Sequence, residues 1–487
     1  MRTILRAGLA PALLLLCLTP IDAAAAQTTA QQQVEARFRQ AGPGTRFGLV
    51  VAGEDGKEII SLDPQGRYIP ASNTKLLTTA AAFHTLGGLS EPDTSGGASV
   101  RLTGGATPDV VLEGHGDARL SSAADCVTDC LAALADAVAA KTKRVRNVIG
   151  DDSQFPDQRW SPGMSWNNIP TRSGTGISAL TLDDNELELR ALPGEAGKPP
   201  RLEFPAYYEV DNRAVTVPGG ATDLSVDRMP NSFLLRLTGT IAAASEPERL
   251  RLGIDDPAHY AAWRFKQLLE ARGVRVGGVV QAQHRPLRPS DDPAKRGGAL
   301  APRAVVPEPL ARLTPPPLVQ DLSVINKQSQ NLHAELLLRR IALEKGTGSI
   351  ADGVAAVRAM LTEAGVPGTQ ADLSDGSGMS TYNRFSPRGI VTLLGWAQRQ
   401  PWGAAYRATL PIGGVDGTLA RRFKGTALEG RIFAKTGSLN ASTALSGYMV
   451  AKSGRTLIFS AFANDIPEGV AASKAIDEAL LAVATEN

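Results

Sequence analysis

Strand-patterned segments lie near both ends of this 487-residue chain, with most of the sequence between them. Near the amino end, two apolar runs flank Glu54-Asp55-Gly56 and predict a β-hairpin, followed by a helix from Ser72 to about Leu86. Near the carboxyl end, three antiparallel strands and an amphipathic helix are predicted. The predicted strands are 46–52, 57–62, 431–439, 443–451 and 456–463, and the closing helix is 468–485. The pattern predicts one α+β domain that is split in sequence.

The long middle of the chain is predicted to be an insertion into that split domain. Strand and helix alternate at its start and end, and the last strand is predicted over 274–282. Short strand-like runs fill its centre, and the Pro- and Arg-rich stretch 286–317 predicts a crossing linker. This indicates an α/β-like insert that carries a smaller β domain. The predicted boundaries are 1–26 for a signal peptide, 27–90 and 305–487 for the split domain, 91–185 and 253–304 for the insert, and 186–252 for the small β domain.

The first 26 residues have the pattern of an export signal. Arg2 and Arg6 precede the apolar stretch 9–18 and the small residues 23–26, which predicts cleavage near Ala26 and a periplasmic protein. A retained membrane anchor is the disfavoured alternative, because the apolar stretch falls short of the roughly 20 residues that a spanning helix needs. Cleavage would lower the net charge from +2 to +1, which gives no electrostatic basis for binding nucleic acid.

Two cysteines and five histidines remain after that cleavage, and neither set points to a cofactor. Cys126 and Cys130 lie four residues apart at the start of a helix predicted over 122–140, within reach of a disulfide bond. The sequence leaves open whether they are bridged. The histidines show no metal-ligand spacing and no triad pattern, so no metal ion or other cofactor is predicted.

Ser72 and Lys75 are three residues apart on a predicted helix and would therefore share one of its faces. A serine hydroxyl becomes a good nucleophile only when a base removes its proton, and a lysine can be that base if burial lowers its pKa. The helix start would add backbone N–H groups that stabilise an oxyanion. Taken alone, the same pattern also fits a serine N-cap followed by a surface lysine.

Ser329-Gln330-Asn331 lies between two helix-like segments, 318–327 and 332–343. Residues two apart cannot share a helix face, so Ser329 and Asn331 can point into one cleft only from a turn between those helices. There, the serine could relay a proton and the amide could hold a substrate carbonyl. The alternative is an ordinary polar helix surface.

Lys435-Thr436-Gly437-Ser438 falls within the predicted strand 431–439. A substrate peptide could add to such a strand, and Gly437 would permit close backbone approach. Lys435 and Thr436 would meet a substrate carboxylate, while the N–H of Ser438 would complete an oxyanion hole. A solvated edge strand is the alternative when this motif is considered alone.

The order Ser-x-x-Lys, Ser-x-Asn, Lys-Thr-Gly resembles the penicillin-recognising serine enzymes. Because about 200 inserted residues separate the first two motifs, the chain resembles more narrowly the class C low-molecular-mass penicillin-binding proteins, the D-alanyl-D-alanine carboxypeptidase/endopeptidase family. The resemblance covers nearly the whole chain after residue 26. Its marks are the segments 70–75, 112–117, 150–155, 178–182, 326–335, 375–380, 410–419 and 435–438.

This resemblance implies a β-lactamase/transpeptidase-like split domain and a serine DD-peptidase that acts on peptidoglycan stem peptides, either ending in D-Ala-D-Ala or crosslinked. Ser72 would form an acyl-enzyme that water releases, and β-lactams would acylate the same serine. Lys75 would be the leading general base, Ser329 and Lys435 would assist proton transfer to the leaving amine, and Asn331 would position the substrate.

The resemblance also assigns residues that would recognise the peptide side chain. Asp151 matches the family acid that meets a free amine, whereas Thr381 stands where members often carry an arginine for an acidic group. Met164 stands where relatives usually have tryptophan.

Two rival functions use the same residues differently. A β-lactamase or esterase on this scaffold would need a base that speeds deacylation, and no such group is identified. A wall-binding protein without catalysis is disfavoured by the intact set of Ser72, Lys75 and Lys435.

Overall fold

The computed structural model describes residues 21–300 and 307–487. The predicted export signal lies outside the described residues except for 21–26, and the predicted boundary at 304 also lies outside them. No described helix has both the length and the apolar character needed to cross a membrane. The α-helices are α1 Ile21–Gln40, α2 Thr74–Thr85, α3 Leu131–Lys141, α4 Pro257–Ala271, α5 Val319–Lys327, α6 Asn331–Leu343, α7 Ile350–Glu363, α8 Pro387–Gln398, α9 Gly403–Ala408 and α10 Ala472–Glu486.

The strands form several sheets along the chain. They are β1 Arg46–Gly53, β2 Glu58–Leu62, β3 Ser99–Leu102, β4 Val110–Glu113, β5 Arg144–Val145, β6 Val148–Pro156, β7 Glu186–Leu192, β8 Arg201–Glu203, β9 Glu209–Asn212, β10 Val215–Val217, β11 Asp223–Asp227, β12 Leu234–Ala242, β13 Glu248–Gly253, β14 Arg275–Val276, β15 Val280–Arg285, β16 Ala311–Arg312, β17 Ala371–Asp372, β18 Arg384–Phe385, β19 Ile432–Leu439, β20 Ser442–Val450 and β21 Thr456–Asn464.

Strands from both ends of the sequence form one antiparallel sheet in the order β19-β20-β21-β1-β2. β1 pairs with β21 along its whole length, from Arg46 opposite Asn464 to Gly53 opposite Leu457. The split α+β domain predicted from the sequence is therefore confirmed. β19 is an edge strand, and residues 411–413 cover its outer side only as far as Ala434.

Helices cover both faces of this sheet. Successive residues of β21 alternate between two cores, because side chains of a strand point to opposite faces. Phe459 packs in a core with helices α1 and α10, whereas Phe462 packs in a core with α2 and α5–α8. The second core surrounds α2, whose residues from Thr74 to Phe83 are all buried.

The inserted region is built on a second five-stranded sheet, in the order β15-β6-β4-β3-β16. β4, β6 and β15 run parallel, whereas β3 and β16 pair antiparallel at one side. Helices α3 and α4 pack on this sheet through a core that includes Leu134 and Phe265. Parallel strands with covering helices are the arrangement of an α/β unit, as the sequence predicts.

Residues 186–253 form two small sheets, one of β9–β12 and one of β7, β8 and β13. Their apolar residues Leu189, Leu235 and Ile241 belong to the same core as the larger inserted sheet. The small β region therefore packs directly on that sheet. The individual domain boundaries stay predictions.

The predicted helix over 122–140 is wrong in its first half, since α3 begins only at Leu131. Asp183 accepts hydrogen bonds from Ser122 N and Oγ at 2.8 and 2.5 Å, and Asp129 has a left-handed φ of 59°. These interactions fix residues 122–130 as a loop. Cys126 and Cys130 are joined by a disulfide bond within it, with their Cα atoms 5.8 Å apart.

The other differences are small shifts of element ends. The closing helix α10 begins at Ala472, because Gly469 adopts a left-handed φ of 81°. The strand predicted over 274–282 is divided by Gly277 and Gly278 into β14 and β15.

Candidate active site

Ser72 lies in a short 3₁₀ turn, Ala71–Asn73, that leads directly into α2. Ala71 has a left-handed φ of 47°, which is costly for a residue with a Cβ. The turn is held from two sides: Asn73 Nδ2 donates to Lys435 O at 2.9 Å, and a Cβ on Gly378 would collide with the Ala71 carbonyl. This packing fixes the half-exposed Ser72 at the mouth of a cleft.

Lys75 lies one helical turn after Ser72, with its side chain fully buried. Its Nζ is 2.9 Å from Ser72 Oγ, 2.7 Å from Asn331 Oδ1 and 2.6 Å from Ser377 O. A neutral amine would donate to the amide oxygen and the backbone carbonyl, which leaves its lone pair directed at the serine hydroxyl. The geometry therefore suits removal of the Ser72 proton by Lys75.

The electrostatic surroundings of Lys75 favour that neutral form. Burial lowers the pKa of Lys75 to about 7, although the negative charges of Asp375 and Glu335 oppose the shift. A base with a pKa near the working pH combines a substantial neutral fraction with useful proton affinity.

Ser329 lies on the turn between α5 and α6, as predicted, and Asn331 is the first residue of α6. Ser329 has a left-handed φ of 61°, which lets both side chains face the cleft. Asn331 accepts from Lys75 through its amide oxygen and donates from Nδ2 to Ser173 O at 3.0 Å. The backbone of the inserted region thus fixes the orientation of the Asn331 amide.

Lys435 points from β19 into the same cleft and is also fully buried. Its Nζ donates to Ser329 Oγ and to Thr436 O, each at 3.0 Å. Burial, together with the positive charge of Lys75, lowers the pKa of Lys435 well below its usual range. Ser329 Oγ therefore accepts a hydrogen bond from Lys435 on one side and faces the open cleft on the other.

The residues after Lys435 line the outer part of the cleft. Thr436 Oγ1 donates to Thr418 Oγ1 at 2.8 Å, so two hydroxyl groups lie together at this position. A Cβ on Gly437 would lie 2.5 Å from Pro70 O, which explains why the strand needs glycine where it passes the turn Ala71–Asn73. Ser438 is exposed beyond them.

Asp151 is the predicted site residue that makes no direct contact with this group. It lies in β6, and its carboxylate accepts from Gln283 Nε2 at 3.1 Å and from Ser153 N at 2.9 Å. Among the described residues, its hydrogen bonds stay within the inserted region. By contrast, Thr381 lies beside the cleft and donates from N and Oγ1 to Gly163 O at 2.9 and 3.0 Å.

A buried charged group that the sequence interpretation missed lies below Lys75. Glu335 accepts from Gly376 N and Ser377 N at 3.0 and 2.9 Å, and burial and Asp375 raise its pKa to about 7. Arg339 is nearby, and burial lowers its pKa to about 10. The spacing of Asn331, Glu335 and Arg339 by four residues was a usable signal, because it places all three on one helix face.

No group of three or more histidine, cysteine or acidic side chains within residues 21–300 and 307–487 is arranged to hold a metal ion. The chemistry described above uses serine, lysine and amide groups alone.

Comparisons with known proteins identify the family of the chain. Residues 30–487 match the model of the D-Ala-D-Ala carboxypeptidase 3 (S13) family. The chain is 34% identical over 423 residues to a D-alanyl-D-alanine carboxypeptidase of Actinomadura sp. (strain R39), which covers 82% of this chain and 74% of that protein. It is 24% identical to the D-alanyl-D-alanine carboxypeptidase DacB of Haemophilus influenzae over 88% of each chain.

A solved structure shares the fold. Penicillin binding protein 4 (dacB) of Haemophilus influenzae superposes with a TM-score of 0.77 at 22% identity, over 92% of this chain and 97% of that one. The family match spans nearly all described residues, so the predicted family is confirmed. The chain belongs to the D-Ala-D-Ala carboxypeptidase 3 (S13) family.

Proposed function

We propose that this protein is a serine-type D-Ala-D-Ala carboxypeptidase and DD-endopeptidase that acts on peptidoglycan stem peptides through an acyl-enzyme on Ser72. The observation that carries the proposal is the contact between Ser72 Oγ and the buried Lys75 Nζ at 2.9 Å. A lysine with a pKa of about 7 at that position can activate the serine near neutral pH.

In the first step, Ser72 Oγ attacks the carbonyl carbon of the penultimate D-alanine and its proton passes to Lys75. The N–H groups of Ser72 and Ser438 stabilise the oxyanion. When the C–N bond breaks, Ser329 gives its proton to the departing amine and takes one from Lys435, which is 3.0 Å away. The proton that Lys75 took from Ser72 passes to Lys435, so Lys75 is neutral again. Water then attacks the ester carbonyl and gives a proton to Lys75. Lys75 passes that proton to Ser72 Oγ as the ester C–O bond breaks, and the shortened peptide leaves as its acid.

The substrate peptide would bind as an added strand on the outer side of β19. That side is covered by residues 411–413 only up to Ala434, which leaves the stretch from Lys435 to Ser438 accessible for backbone pairing. The terminal carboxylate would meet Lys435 and the hydroxyls of Thr436 and Thr418. Asn331 would position the substrate by donating a hydrogen bond from its side-chain amide to a substrate carbonyl group.

The names of the relatives support this substrate class. Two are D-alanyl-D-alanine carboxypeptidases, and penicillin binding protein 4 of Haemophilus influenzae has been solved in complex with a β-lactam. Export to the periplasm with cleavage near Ala26 would bring the enzyme to peptidoglycan. The role of Asp151 stays a prediction: Asp151→Asn should raise KM for peptides with a free side-chain amine and leave other peptides unaffected.

Covalent labelling by penicillin tests the proposal. Intact mass should show one penicilloyl group on the wild type, none on Ser72→Ala, and a full label on the control Ser323→Ala, whose hydroxyl bonds to a carbonyl within α5. Labelling of the Ser72→Ala protein would contradict the assignment of the nucleophile. A label that is lost within seconds would favour a β-lactamase instead.

A further inference from the structure

The inserted region reaches the turn that carries Ser329 and Asn331 at a second point besides Ser173. Asp183, Asp184 and Asn185 have φ values of 50°, 56° and 48°, and we refer to these three residues as the left-handed turn. Consecutive non-glycine residues in this conformation are costly, because each Cβ crowds the backbone. Such strain persists only where the surroundings enforce it, and it concentrates at functional positions.

The outer two residues anchor the left-handed turn to the inserted region. Asp183 accepts from Ser122 N at 2.8 Å and from Ser121 Oγ at 3.1 Å. Asn185 is fully buried, accepts from Leu182 N at 3.2 Å, and donates to Gly176 O at 2.9 Å. The middle residue, Asp184, is thereby held in a fixed position, and its side chain points toward α6.

Asp184 reaches across to the split domain and contacts the first turn of α6. Its Oδ1 lies 2.9 Å from His333 Nε2, and the Gln330 amide lies close enough to stabilise its charge. His333 is 6% exposed, and its Nδ1 lies 3.5 Å from Asp321 on α5. His333 therefore links the inserted region, α5 and α6 two residues away from Asn331.

The charge balance around His333 keeps it protonated. Burial disfavours the imidazolium, but the hydrogen bond to Asp184 and the nearby negative charge of Asp321 outweigh that effect and raise the pKa of His333 to about 9. The other charged or titratable groups that face these acids are Arg119, Arg251, Glu186, Asp117 and Asp129.

We propose that Asp184 is a positioning residue supplied by the inserted region, which acts through His333 to hold Ser329 and Asn331 in their reactive arrangement. The proposal rests on the function proposed above, since it concerns the same acylation step. The left-handed turn stays in place because Asp183 and Asn185 are anchored to the inserted region. The contact to His333 transmits that position to the start of α6, where Asn331 meets Lys75 at 2.7 Å.

The test compares acylation rate constants of the wild type and Asp184→Asn with a fluorescent penicillin, from about pH 5.5 to about pH 9. Asparagine also tolerates the left-handed conformation and keeps an acceptor oxygen, so the variant removes mainly the charge. Rates are normalised to the active fraction from the labelling end point. The matched control is Glu363→Gln, which removes a carboxylate 3.1 Å from His84 on the outer face of the split domain.

We expect Asp184→Asn to acylate about 10- to 100-fold more slowly at high pH, where the lone Asp321 no longer keeps His333 protonated. The deficit should shrink toward low pH, where the imidazolium persists in both proteins. Glu363→Gln should stay within about twofold of the wild type at every pH. A deficit of the same size at all pH values, or no deficit, overturns the proposal.

His333→Gln is the second variant. It tests whether His333 positions Ser329 and Asn331 even if Asp184→Asn does not fold. It carries no charge at any pH, so we expect slow acylation with a deficit that is largest at low pH. A wild-type rate in this variant overturns the proposal. Failure of the wild type itself to acylate overturns the proposed function as well, so the two failures are distinguishable.

Discussion

Two fully buried lysines occupy one cleft, each in contact with a serine hydroxyl. Neither Lys75 nor Lys435 forms an ion pair with the described residues. Burial therefore lowers both pKa values, and the charges of Asp375 and Glu335 oppose the shift of Lys75 only in part. Their different partners separate their roles. Lys75 is oriented by a carbonyl and an amide oxygen beside Ser72, the proposed nucleophile, whereas Lys435 contacts Ser329, the proposed proton donor to the departing amine.

The first prediction concerns the pH dependence of acylation. Only the neutral form of Lys75 accepts the Ser72 proton, and this form becomes dominant above its pKa of about 7. The acylation rate constant with a chromogenic β-lactam should therefore rise about tenfold per pH unit below the midpoint and level off above it. A rate that is constant between about pH 5 and about pH 8 would contradict Lys75 as the base.

Site residues that act through their side chains could be predicted from the sequence, whereas those that act through their backbone could not. Ser72, Lys75, Ser329, Asn331 and Lys435 could be predicted because each lies in a short motif with a stated chemical role. Ser173 could not be predicted, because it contributes a backbone carbonyl that any residue could supply.

At the scale of elements, the edge strand β19 packs against the turn Ala71–Asn73, which carries Ser72. Gly437 passes close to Pro70 O, and Asn73 donates to the carbonyl of Lys435 on the same strand. These contacts set the distance between the strand and Ser72. The oxyanion hole needs this distance, since one of its proposed N–H groups belongs to each element.

We therefore predict that Gly437→Ala separates the two elements. The new methyl group would lie 2.5 Å from Pro70 O, so the strand or the turn must shift. We expect acylation to slow by about 100-fold and the free energy of unfolding to fall by about 1–3 kcal/mol. Penicillin labelling rates and urea unfolding would measure the two effects.

Gly395→Ala is the control for that variant. Gly395 lies in α8, and a Cβ there makes ordinary contacts, the nearest at 3.5 Å. Its unfolding free energy should rise by up to about 1 kcal/mol, because alanine favours helices. If Gly437→Ala acylated as fast as Gly395→Ala, the close approach of β19 would have no catalytic role.

Most helices and strands could be predicted because their apolar periodicity agrees with how they pack. The strands of the terminal sheet match within one residue at most ends. Residues 122–130 could not be predicted in the same way, because the Ala-rich stretch 131–140 follows them directly and no Gly or Pro marks where its helix begins. The long-range hydrogen bonds that Asp183 accepts from Ser122, together with the Cys126–Cys130 bond, hold these residues in a loop instead.

At the scale of the whole molecule, the inserted region contributes to the candidate active site as well as to the fold. It supplies the Ser173 carbonyl to Asn331, and Trp160, Met164 and Ile177 line a small pocket that also contacts Asn331 and Met379. Ion pairs also join the two parts, including Arg119 with Asp321 at 2.6 Å and Arg340 with Asp93. The sequence predicted the insertion but not its contacts, because contacts between distant segments leave no periodic pattern.

A buried acid pair in the inserted region makes a prediction about stability. Burial and Asp129 raise the pKa of Asp117, so the folded chain retains a proton that the unfolded chain releases above about pH 4. This difference destabilises the fold as the pH rises. Asp117→Asn should therefore increase the free energy of unfolding by about 1–3 kcal/mol at about pH 8, and by less at about pH 5.

Urea unfolding at the two pH values measures this effect. The control is Asp125→Asn, which changes an exposed acid in the same loop and should leave stability within about 0.5 kcal/mol at both. Equal stability of Asp117→Asn and the wild type at high pH would show that the buried pair carries no such cost.

The most direct test of the central claim is D-alanine release from a peptide that ends in D-Ala-D-Ala, measured for the wild type and Ser72→Ala. The wild type should release D-alanine, and the variant should release none, because the acyl-enzyme requires the Ser72 hydroxyl. Equal release by both proteins would contradict Ser72 as the nucleophile. No release by the wild type from this peptide or from crosslinked muropeptides would contradict the assignment as a DD-peptidase.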